Sequence, residues 1–289
     1  YFNMKKPLFF LLLVASTYGF MSRLKPFRSN LAVYQSAPAI QNNFIQVFDE
    51  IDTLGTALCN EFVEKAKEYI KESGNFYAAI PGGSVLKLLS GLLPLKDEID
   101  WSKVHIFYVN HKCVPHDDPT ATHFKAEKIF GNELNVKLYP LSVSGENLTK
   151  GHNTDAHLYE KKVKETVPGA NGLPVFDYML LGVGKDGHIG SLYPDRKEVT
   201  MTDLWVLPVD KKTPSSVTLS LPVMNNAKEI RVVMTGADKA QAAYLGFCKL
   251  KTPIDFPVCG VGIDSSGDSL GNIIWMMDEA CAAELKRNN

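Results

Sequence analysis

An aspartate and a histidine two residues apart are the most chemically suggestive pair in the sequence. Asp186 and His188 lie in the stretch LLGVGKDGHIGSLYPD, which runs from residue 180 to residue 195. An unperturbed imidazole titrates at about pH 6.5, so it can accept a proton from water near neutral pH, and a neighbouring carboxylate can hold its tautomer. The pair therefore predicts general-base chemistry. The simpler alternative is a loop histidine that only hydrogen-bonds to backbone groups.

The glycines around this pair offer a competing interpretation, because they match the G-x-G-x-x-G pattern of dinucleotide-binding loops. The three positions are Gly182, Gly184 and Gly187. That pattern requires a helix to open directly after the loop, so that its N-terminus receives the pyrophosphate. Here Gly190 and Pro194 leave room for scarcely one helical turn. Dinucleotide binding is therefore disfavoured, and we expect the glycines to let the backbone approach a small ligand.

The elements that must position these residues alternate between strand and helix. Apolar runs predict strands at 43–48, 75–80, 104–109, 176–181, 204–209, 230–235 and 272–277. Helical spacing of apolar residues predicts helices near 51–70, 85–93, 123–130, 157–164, 238–248 and 278–286. The expected fold class is α/β, with an open, mostly parallel sheet flanked by helices on both faces.

Polar loops follow the second, third and fourth strands of this pattern. They are PGGS (81–84), NHK (110–112) and GKDGH (184–188). Ligands of open α/β sheets bind beyond the carboxyl ends of the strands, where such loops meet. The sequence therefore predicts one site, to which all three loops contribute.

Composition narrows the class of partner. The chain carries 31 basic and 32 acidic residues. These charges nearly cancel, so no overall electrostatic field favours binding of nucleic acid or an anionic membrane. Five cysteines without a C-x-x-C pair indicate buried thiols rather than a disulfide scaffold or a zinc knuckle. A cluster of polar residues has no metal-binding spacing, and we expect it to be a solvated loop. Its members are His111, His116, Asp117, Asp118 and His123.

The first 43 residues are predicted to be a targeting leader, followed by one folded domain from 44 to 289. Lys5 and Lys6 precede the apolar run PLFFLLLVA, which has the layout of a secretory signal and is too short to span a bilayer. A basic, serine-containing stretch without acidic residues follows, as in transit peptides. The arrangement resembles the bipartite leaders of plastid proteins in algae with secondary plastids. Plastid localisation is therefore expected. The alternatives are secretion, or a cytosolic protein translated from Met21.

Several longer segments match the motifs of a known family. PVFDYMLLGVGKDGHIGSLYPD (174–195) is similar to a strand followed by G-x-G-x-D-G-H-x-x-S-L-F-P, and WSKVHIFYVNHKCVP (101–115) to W-x-x-V-x-x-F-x-x-D-E-R-x-V-P. VTLSLPVMNNAKEIRVVMTGADKAQA (217–242) contains T-G-x-x-K-A, and IIWMMDEACAAEL (273–285) resembles W-x-x-D-x-A-A. From about residue 44 to residue 285, the chain thus resembles the 6-phosphogluconolactonase family.

This resemblance implies hydrolysis of 6-phospho-D-glucono-1,5-lactone to 6-phosphogluconate, a step of the oxidative pentose phosphate pathway, without a metal or an organic cofactor. His188 is then expected to activate the attacking water, while Asp186 orients the imidazole. Loop amides near Gly82, Gly83 and Gly184 are the expected donors to the oxyanion. The implied partner is a small sugar phosphate lactone, with no nucleic acid and no membrane after removal of the leader. A monomer or a weak homo-oligomer is expected.

The phosphate of such a substrate needs cations or amide donors at the other end of the site. The residues expected there are Ser84 at a helix N-terminus, Lys112, and Lys239 at the start of the T-G-x-x-K-A helix. Asn110 is expected to complete the substrate-binding set.

The chain departs from the family pattern in this same region. The D-E-R triplet is NHK (110–112), which replaces a bidentate guanidinium by a point-charge ammonium, and the S-G-G triplet is PGG (81–83). The arginine of the family's R-I-T strand is Ser216. Because charge-assisted hydrogen bonds contribute about 1.5–3 kcal/mol each, these losses should weaken phosphate binding.

Three functions remain open at this stage. The first is an active lactonase in which Lys112, Lys239 and His111 hold the phosphate. The second is a lactonase-like protein that has lost catalysis and binds a sugar phosphate or a partner protein. The third is a sugar phosphate enzyme like the glucosamine-6-phosphate deaminases, which share the fold and a similar D-G-H-I loop.

Overall fold

The computed structural model describes residues 44–131, 133–141, 152–264 and 269–288. The predicted leader, residues 1–43, lies outside these ranges, so both its boundaries and its targeting function stay predictions. No helix in the described ranges is long and apolar enough to cross a membrane.

Strands and helices alternate along most of the described chain. The strands are β1 (Phe44–Phe48), β2 (Phe76–Ile80), β3 (Val104–Tyr108), β4 (Asn110–Lys112), β5 (Lys137–Leu138), β6 (Gly169–Ala170), β7 (Leu173–Pro174), β8 (Tyr178–Gly182), β9 (Val206–Val209), β10 (Ser216–Leu219), β11 (Glu229–Met234) and β12 (Ile273–Asp278). The α-helices are α1 (Ile51–Ser73), α2 (Gly83–Leu88), α3 (Thr122–Ala126), α4 (His152–Thr166), α5 (Leu221–Asn225), α6 (Ala240–Phe247) and α7 (Ala283–Arg287).

The central sheet has seven strands in the order β1-β12-β11-β8-β2-β3-β5. Every neighbouring pair in it is parallel. The prediction of an open, mostly parallel α/β sheet is therefore confirmed. Strand β8 lies at the centre between β2 and β11, so the loops that follow these three strands emerge side by side at the carboxyl edge of the sheet.

Both faces of the sheet are covered. In β8, Tyr178 and Leu180 belong to one buried hydrophobic cluster, and Met179 and Leu181 belong to the other. This alternation follows from the period of two in a β-strand, which sends successive side chains to opposite faces. Helices α1 and α2 contribute to the first cluster, and α4 and α6 contribute to the second.

Helix α1 shows how apolar spacing fixes one of these faces. Leu54, Leu58 and Phe62 recur every four residues and are fully buried. The helix ends at Gly74, whose φ of 86° is left-handed and whose N–H donates to Ile70 O. The predicted helix and its glycine stop are both confirmed.

A second, antiparallel sheet corrects the sequence analysis. It has the order β4-β10-β9, so residues 204–209 do not extend the parallel sheet, and NHK (110–112) is a strand rather than a loop. The short apolar run of β9 carries no information about its partner. Strand β4 is polar and short, and it owes its conformation to pairing with β10.

Several predicted helices are also shorter than expected. The segment expected to be helical at 85–93 forms α2 only up to Leu88 and then continues as a 3-10 helix that contains Pro94. At the C-terminus, β12 continues through Asp278, so α7 begins only at Ala283. Proline removes a backbone donor, and pairing of β12 with β11 and β1 takes precedence over the helical spacing.

Candidate active site

The loop that follows β8, residues 183–190, folds back on itself; we refer to it as the D-G-H loop. Gly184 N–H donates to His188 O at 2.9 Å, and Gly187 N–H donates to Gly184 O at 3.0 Å. Gly187 has a φ of +79°, in the left-handed region that glycine adopts without steric cost. This tight turn brings the side chains on either side of Gly187 together.

Asp186 and His188 form a hydrogen-bonded pair within the D-G-H loop. His188 Nδ1 lies 2.5 Å from Asp186 Oδ1, and the same oxygen accepts the backbone N–H of His188 at 3.3 Å. Burial alone would raise the pKa of Asp186, but the hydrogen bonds from His188 outweigh it and hold that pKa below its ordinary value. An ionised Asp186 therefore faces Nδ1, and no described residue hydrogen-bonds Nε2. The His188 side chain is partly exposed.

Gly184 makes room for this pair. A Cβ atom at Gly184 would lie 2.0 Å from His188 Nδ1 and 2.6 Å from Asp186 Oδ1. Any larger residue at this position would displace the imidazole or the carboxylate. The N–H of Gly184 is already bonded within the loop, so we assign Gly184 this spatial role and leave oxyanion binding to other amides.

The PGGS segment lies beside the D-G-H loop, because β2 is a neighbour of β8. Gly82 is the N-cap of α2, Gly83 has a φ of +74°, and Ser84 is exposed in the first turn. A Cβ at Gly182 would lie 3.0 Å from Val85 Cγ2, so the start of α2 packs against the end of β8. The first N–H groups of a helix have no partner within it. These amides are thus available close to the Asp186–His188 pair.

Hydrogen bonds tie the second sheet to the chain just after His188. Asn110 Nδ2 donates to Ser191 Oγ at 3.1 Å, and the Ser216 hydroxyl donates to the same oxygen at 2.9 Å. The backbone N–H of Ser191 donates to Thr218 Oγ1 at 3.2 Å. Ser191 was missed by the sequence analysis, although it occupies the serine position of the G-x-G-x-D-G-H-x-x-S motif. It connects the predicted substrate-binding Asn110 to the D-G-H loop.

Lys112 lies on the face of the second sheet that carries Asn110. In the antiparallel register, Lys112 is paired with Ser216 and Asn110 with Thr218. Paired residues, and residues two apart on one strand, point to the same face. Lys112 is exposed and forms no ion pair with another described residue. Its ammonium interacts electrostatically with Asp118 and is exposed on the side of the sheet that faces Ser191.

The loop that follows β11 lies at the same carboxyl edge of the sheet, next to the D-G-H loop. Both carboxylate oxygens of Asp278 accept the N–H of Gly236, at 2.9 and 3.1 Å. Lys185 of the D-G-H loop forms an ion pair with Asp238 at 2.8 Å. These contacts hold the predicted substrate-binding Lys239 on a loop that is joined to the D-G-H loop. Lys239 is half-buried.

Two further residues extend the site beyond those predicted. The ring centroid of Tyr193 lies 4.9 Å from that of His188, and Lys212 Nζ lies 4.8 Å from the Tyr193 centroid. Lys212 is exposed on the connection between β9 and β10. Lys212 and His188 thus both contact the Tyr193 ring, so a second ammonium is connected to the imidazole through one aromatic side chain. No sequence signal marks Lys212, because this contact joins segments that are distant along the chain.

His111 does not take part in the site, so the prediction that it holds the phosphate is wrong. Its side chain is fully buried. Nε2 accepts the backbone N–H of His123 at 3.1 Å, which places the ring proton on Nδ1, and Nδ1 donates to Lys112 O at 2.6 Å. Burial lowers the pKa of His111 to about 4. Both nitrogens are occupied, and the ring is neutral near pH 7.

Part of the polar cluster around His111 is buried, which corrects the expectation of a solvated loop at two of its positions. His111 and His123 are buried, His116 and Asp118 are half-buried, and Asp117 is exposed. His123 Nδ1 and Tyr108 Oη are 2.8 Å apart, and the rings of His116 and His123 have centroids 4.9 Å apart. His116 Nε2 donates to Leu141 O at 2.5 Å. Within the described ranges, no group of three or more His, Cys, Asp or Glu residues is placed to hold a metal ion. The histidines instead fasten α3 and the 139–141 segment to β4.

Comparison with known proteins gave consistent matches over most of the chain. A family model described as glucosamine-6-phosphate isomerases/6-phosphogluconolactonase matches residues 49–275. A probable 6-phosphogluconolactonase 1 from Arabidopsis thaliana is 31% identical over 258 residues, covering 84% of this chain and 94% of the relative. A probable chloroplastic 6-phosphogluconolactonase 4 from Oryza sativa subsp. indica is 28% identical, covering 84% and 76%. The solved structure of a 6-phosphogluconolactonase from Shewanella baltica OS155 superimposes with a TM-score of 0.70 at 20% identity, covering 83% and 99%.

Proposed function

The chain belongs to the glucosamine-6-phosphate isomerase/6-phosphogluconolactonase family, and we propose that it hydrolyses 6-phospho-D-glucono-1,5-lactone to 6-phosphogluconate in the oxidative pentose phosphate pathway. The observation that carries the proposal is the Asp186–His188 pair, held at 2.5 Å on the central loop of the site. Relatives named 6-phosphogluconolactonases support the choice of substrate.

The pair is suited to activating water. In the proposed reaction, His188 Nε2 removes a proton from a water molecule as its oxygen attacks the lactone carbonyl. When the tetrahedral intermediate collapses, the bond between the carbonyl carbon and the ring oxygen breaks, and the imidazolium returns its proton to that oxygen. Asp186 fixes the tautomer with the proton on Nδ1 and stabilises the imidazolium while it exists. General-base catalysis of this kind contributes about 10²- to 10⁴-fold.

The negative charge on the carbonyl oxygen requires donors that are already in place. We assign this role to the amides at the start of α2, around Gly82 and Gly83, which lie next to the end of β8. Gly184 supports the reaction differently, by leaving space for the imidazole.

The phosphate is proposed to bind to the lysines that surround the D-G-H loop. Lys112 and Lys239 are the cations that the sequence predicts, and we add Lys212 because its ammonium lies over the ring that packs on His188. Ser84 and Asn110 supply neutral hydrogen bonds, with Asn110 oriented by Ser191. Three point charges then take the place of the family's guanidinium groups.

The alternatives make different predictions for the same protein. A lactonase accelerates proton release from freshly prepared 6-phosphogluconolactone above the spontaneous rate. A deaminase-like enzyme releases ammonia from glucosamine 6-phosphate instead. A binding protein without catalysis is stabilised against heat by 6-phosphogluconate but accelerates neither reaction. Lactone hydrolysis without ammonia release is the expected result, and the reverse pattern would refute the proposal.

We also propose that the protein acts in a plastid. The predicted bipartite leader and the chloroplastic name of the rice relative support this. Fusion of residues 1–43 to a fluorescent protein in an alga with a secondary plastid tests it, and a cytosolic or secreted reporter would contradict it.

A further inference from the structure

We propose that Phe256 is a positioning residue for the reaction, because its ring packs against the turn of the D-G-H loop and supports the conformation of that turn. The idea rests on the proposed function, since the group that Phe256 positions is His188. Phe256 is buried, so it acts through the loop.

The main contact is between the Phe256 ring and the backbone of Gly187. A Cβ atom at Gly187 would lie 2.5 Å from each of Cγ, Cδ1 and Cδ2 of Phe256. Three equal distances place the ring face directly against the glycine. Gly187 separates Asp186 from His188 and has the left-handed φ that closes the turn. The ring therefore supports the residue that sets the geometry of the pair.

Backbone hydrogen bonds join the loop to the chain on both sides of Phe256. Val258 N–H donates to Gly187 O at 3.0 Å, which fixes the carbonyl that precedes His188. Asp195 N–H donates to Ile254 O at 2.9 Å. The segment 254–258, which we call the support segment, is thus attached at the turn of the D-G-H loop and again beyond it.

The support segment is itself held in place. Phe256 N–H donates to Thr252 O at 2.9 Å, and Cys259 N–H donates to Phe256 O at 2.8 Å. Lys249 Nζ donates to Val261 O at 2.5 Å and to Val258 O at 3.4 Å. With its backbone bonded in both directions, Phe256 cannot easily follow a loop that moves away.

Loss of the ring should therefore affect the chemical step more than substrate binding. Without it, a space opens beneath Gly187, and the turn can adopt conformations in which His188 Nδ1 and Asp186 Oδ1 are no longer 2.5 Å apart. Small misplacements of catalytic groups cost about 10²-fold in rate. The proposed phosphate ligands lie on other elements, so KM should change little.

A double-mutant cycle tests this coupling directly. Gly187→Ala alone drives a methyl group into the Phe256 ring and also strains the backbone, because φ at this position is +79°; the double variant keeps that strain. Phe256→Ala alone removes the support. We expect each to lower kcat by about 10- to 100-fold. In the double variant, the ring no longer opposes the methyl group. The kcat of the double variant, relative to wild type, should therefore be higher than the product of the relative kcat values of the two single variants. Purely multiplicative effects, or a Phe256→Ala variant with wild-type kcat, would overturn the proposal.

Controls separate positioning from stability. Phe62→Ala deletes a fully buried ring in the hydrophobic cluster on the other face of the sheet, and kcat of its folded fraction should match wild type. If Phe256→Ala does not fold, Phe256→Leu replaces it in the cycle. Amide exchange at Gly187 and His188 gives a readout without substrate. Faster exchange in the Phe256 variant supports the role even if the wild type proves inactive on the lactone, and unchanged exchange contradicts it.

Discussion

Replacement of Gly184 by alanine should disable the Asp186–His188 pair while leaving the fold intact. The added Cβ would lie 2.0 Å from His188 Nδ1, 2.2 Å from Cε1 and 2.6 Å from Asp186 Oδ1. These distances are far inside van der Waals contact, so the imidazole must leave its position. Gly184 does not have a left-handed φ, so alanine adds no backbone strain and the effect reports on the side chains alone.

The size of the effect follows from what the displaced ring loses. A hydrogen bond to a charged group is worth about 1.5–3 kcal/mol, which corresponds to about 10- to 150-fold in rate if it is needed in the transition state. Misplacement of the general base adds to this loss, so we expect kcat to fall by about 10²- to 10⁴-fold. KM should change little, because the proposed phosphate ligands Lys112, Lys212 and Lys239 are untouched.

The assay is steady-state proton release from fresh lactone, corrected for spontaneous hydrolysis, with thermal unfolding to confirm the fold. Gly131→Ala is the matched control, because a Cβ there meets only Glu127 Cβ, at an ordinary 3.7 Å. A Gly184→Ala enzyme with a kcat close to wild type would refute the assignment of the Asp186–His188 pair as the base.

Three further predictions concern charge. Lys212→Met should raise KM for the lactone by about tenfold, because one exposed charge contact with the phosphate is lost. Lys197→Met, at another exposed lysine, is the control and should leave KM unchanged. Equal KM values for Lys212→Met and the wild type would remove Lys212 from the proposed site. Lys112→Arg should lower KM, because a guanidinium binds phosphate through two parallel hydrogen bonds, and an unchanged KM would mean that the phosphate is held elsewhere. The His111 pKa of about 4, against an ordinary 6.5, means that the unfolded state binds the proton first on acidification. Stability should therefore fall between these pH values by up to about 3 kcal/mol. Urea unfolding at pH 7 and pH 5 checks this, and His111→Gln, measured at the same two values, should show a shallower pH dependence.

The sequence predicted those parts of the molecule whose pattern is local. Helix α1 has an unbroken apolar period with a glycine at its end, and β8 is a short apolar run that leads into a glycine-rich turn. The proximity of PGGS to the D-G-H loop followed from the rule that loops meet at the carboxyl edge of a parallel sheet. The Asp186–His188 contact was predicted because only one residue separates the two.

Features that depend on contacts between distant segments were not predictable in this way. Strand β4 exists because β10 pairs with it, and nothing in its three residues indicates a partner about a hundred positions away. Polar side chains are usually exposed, so the residue types of His111 and His123 gave no indication that both are buried. Lys212 reaches the site through Tyr193, and Phe256 packs against Gly187, although both lie well downstream in the sequence. Spacing along the chain carries no signal for such contacts.

The dependence of lactone hydrolysis on His188 is the most direct test of the proposed function. Wild-type protein, His188→Ala and the surface control His157→Ala are compared at one enzyme concentration in the proton-release assay. The expected result is that wild type and His157→Ala accelerate hydrolysis equally, while His188→Ala falls by at least about 10²-fold. Equal rates for His188→Ala and wild type would contradict the central claim that His188 activates water.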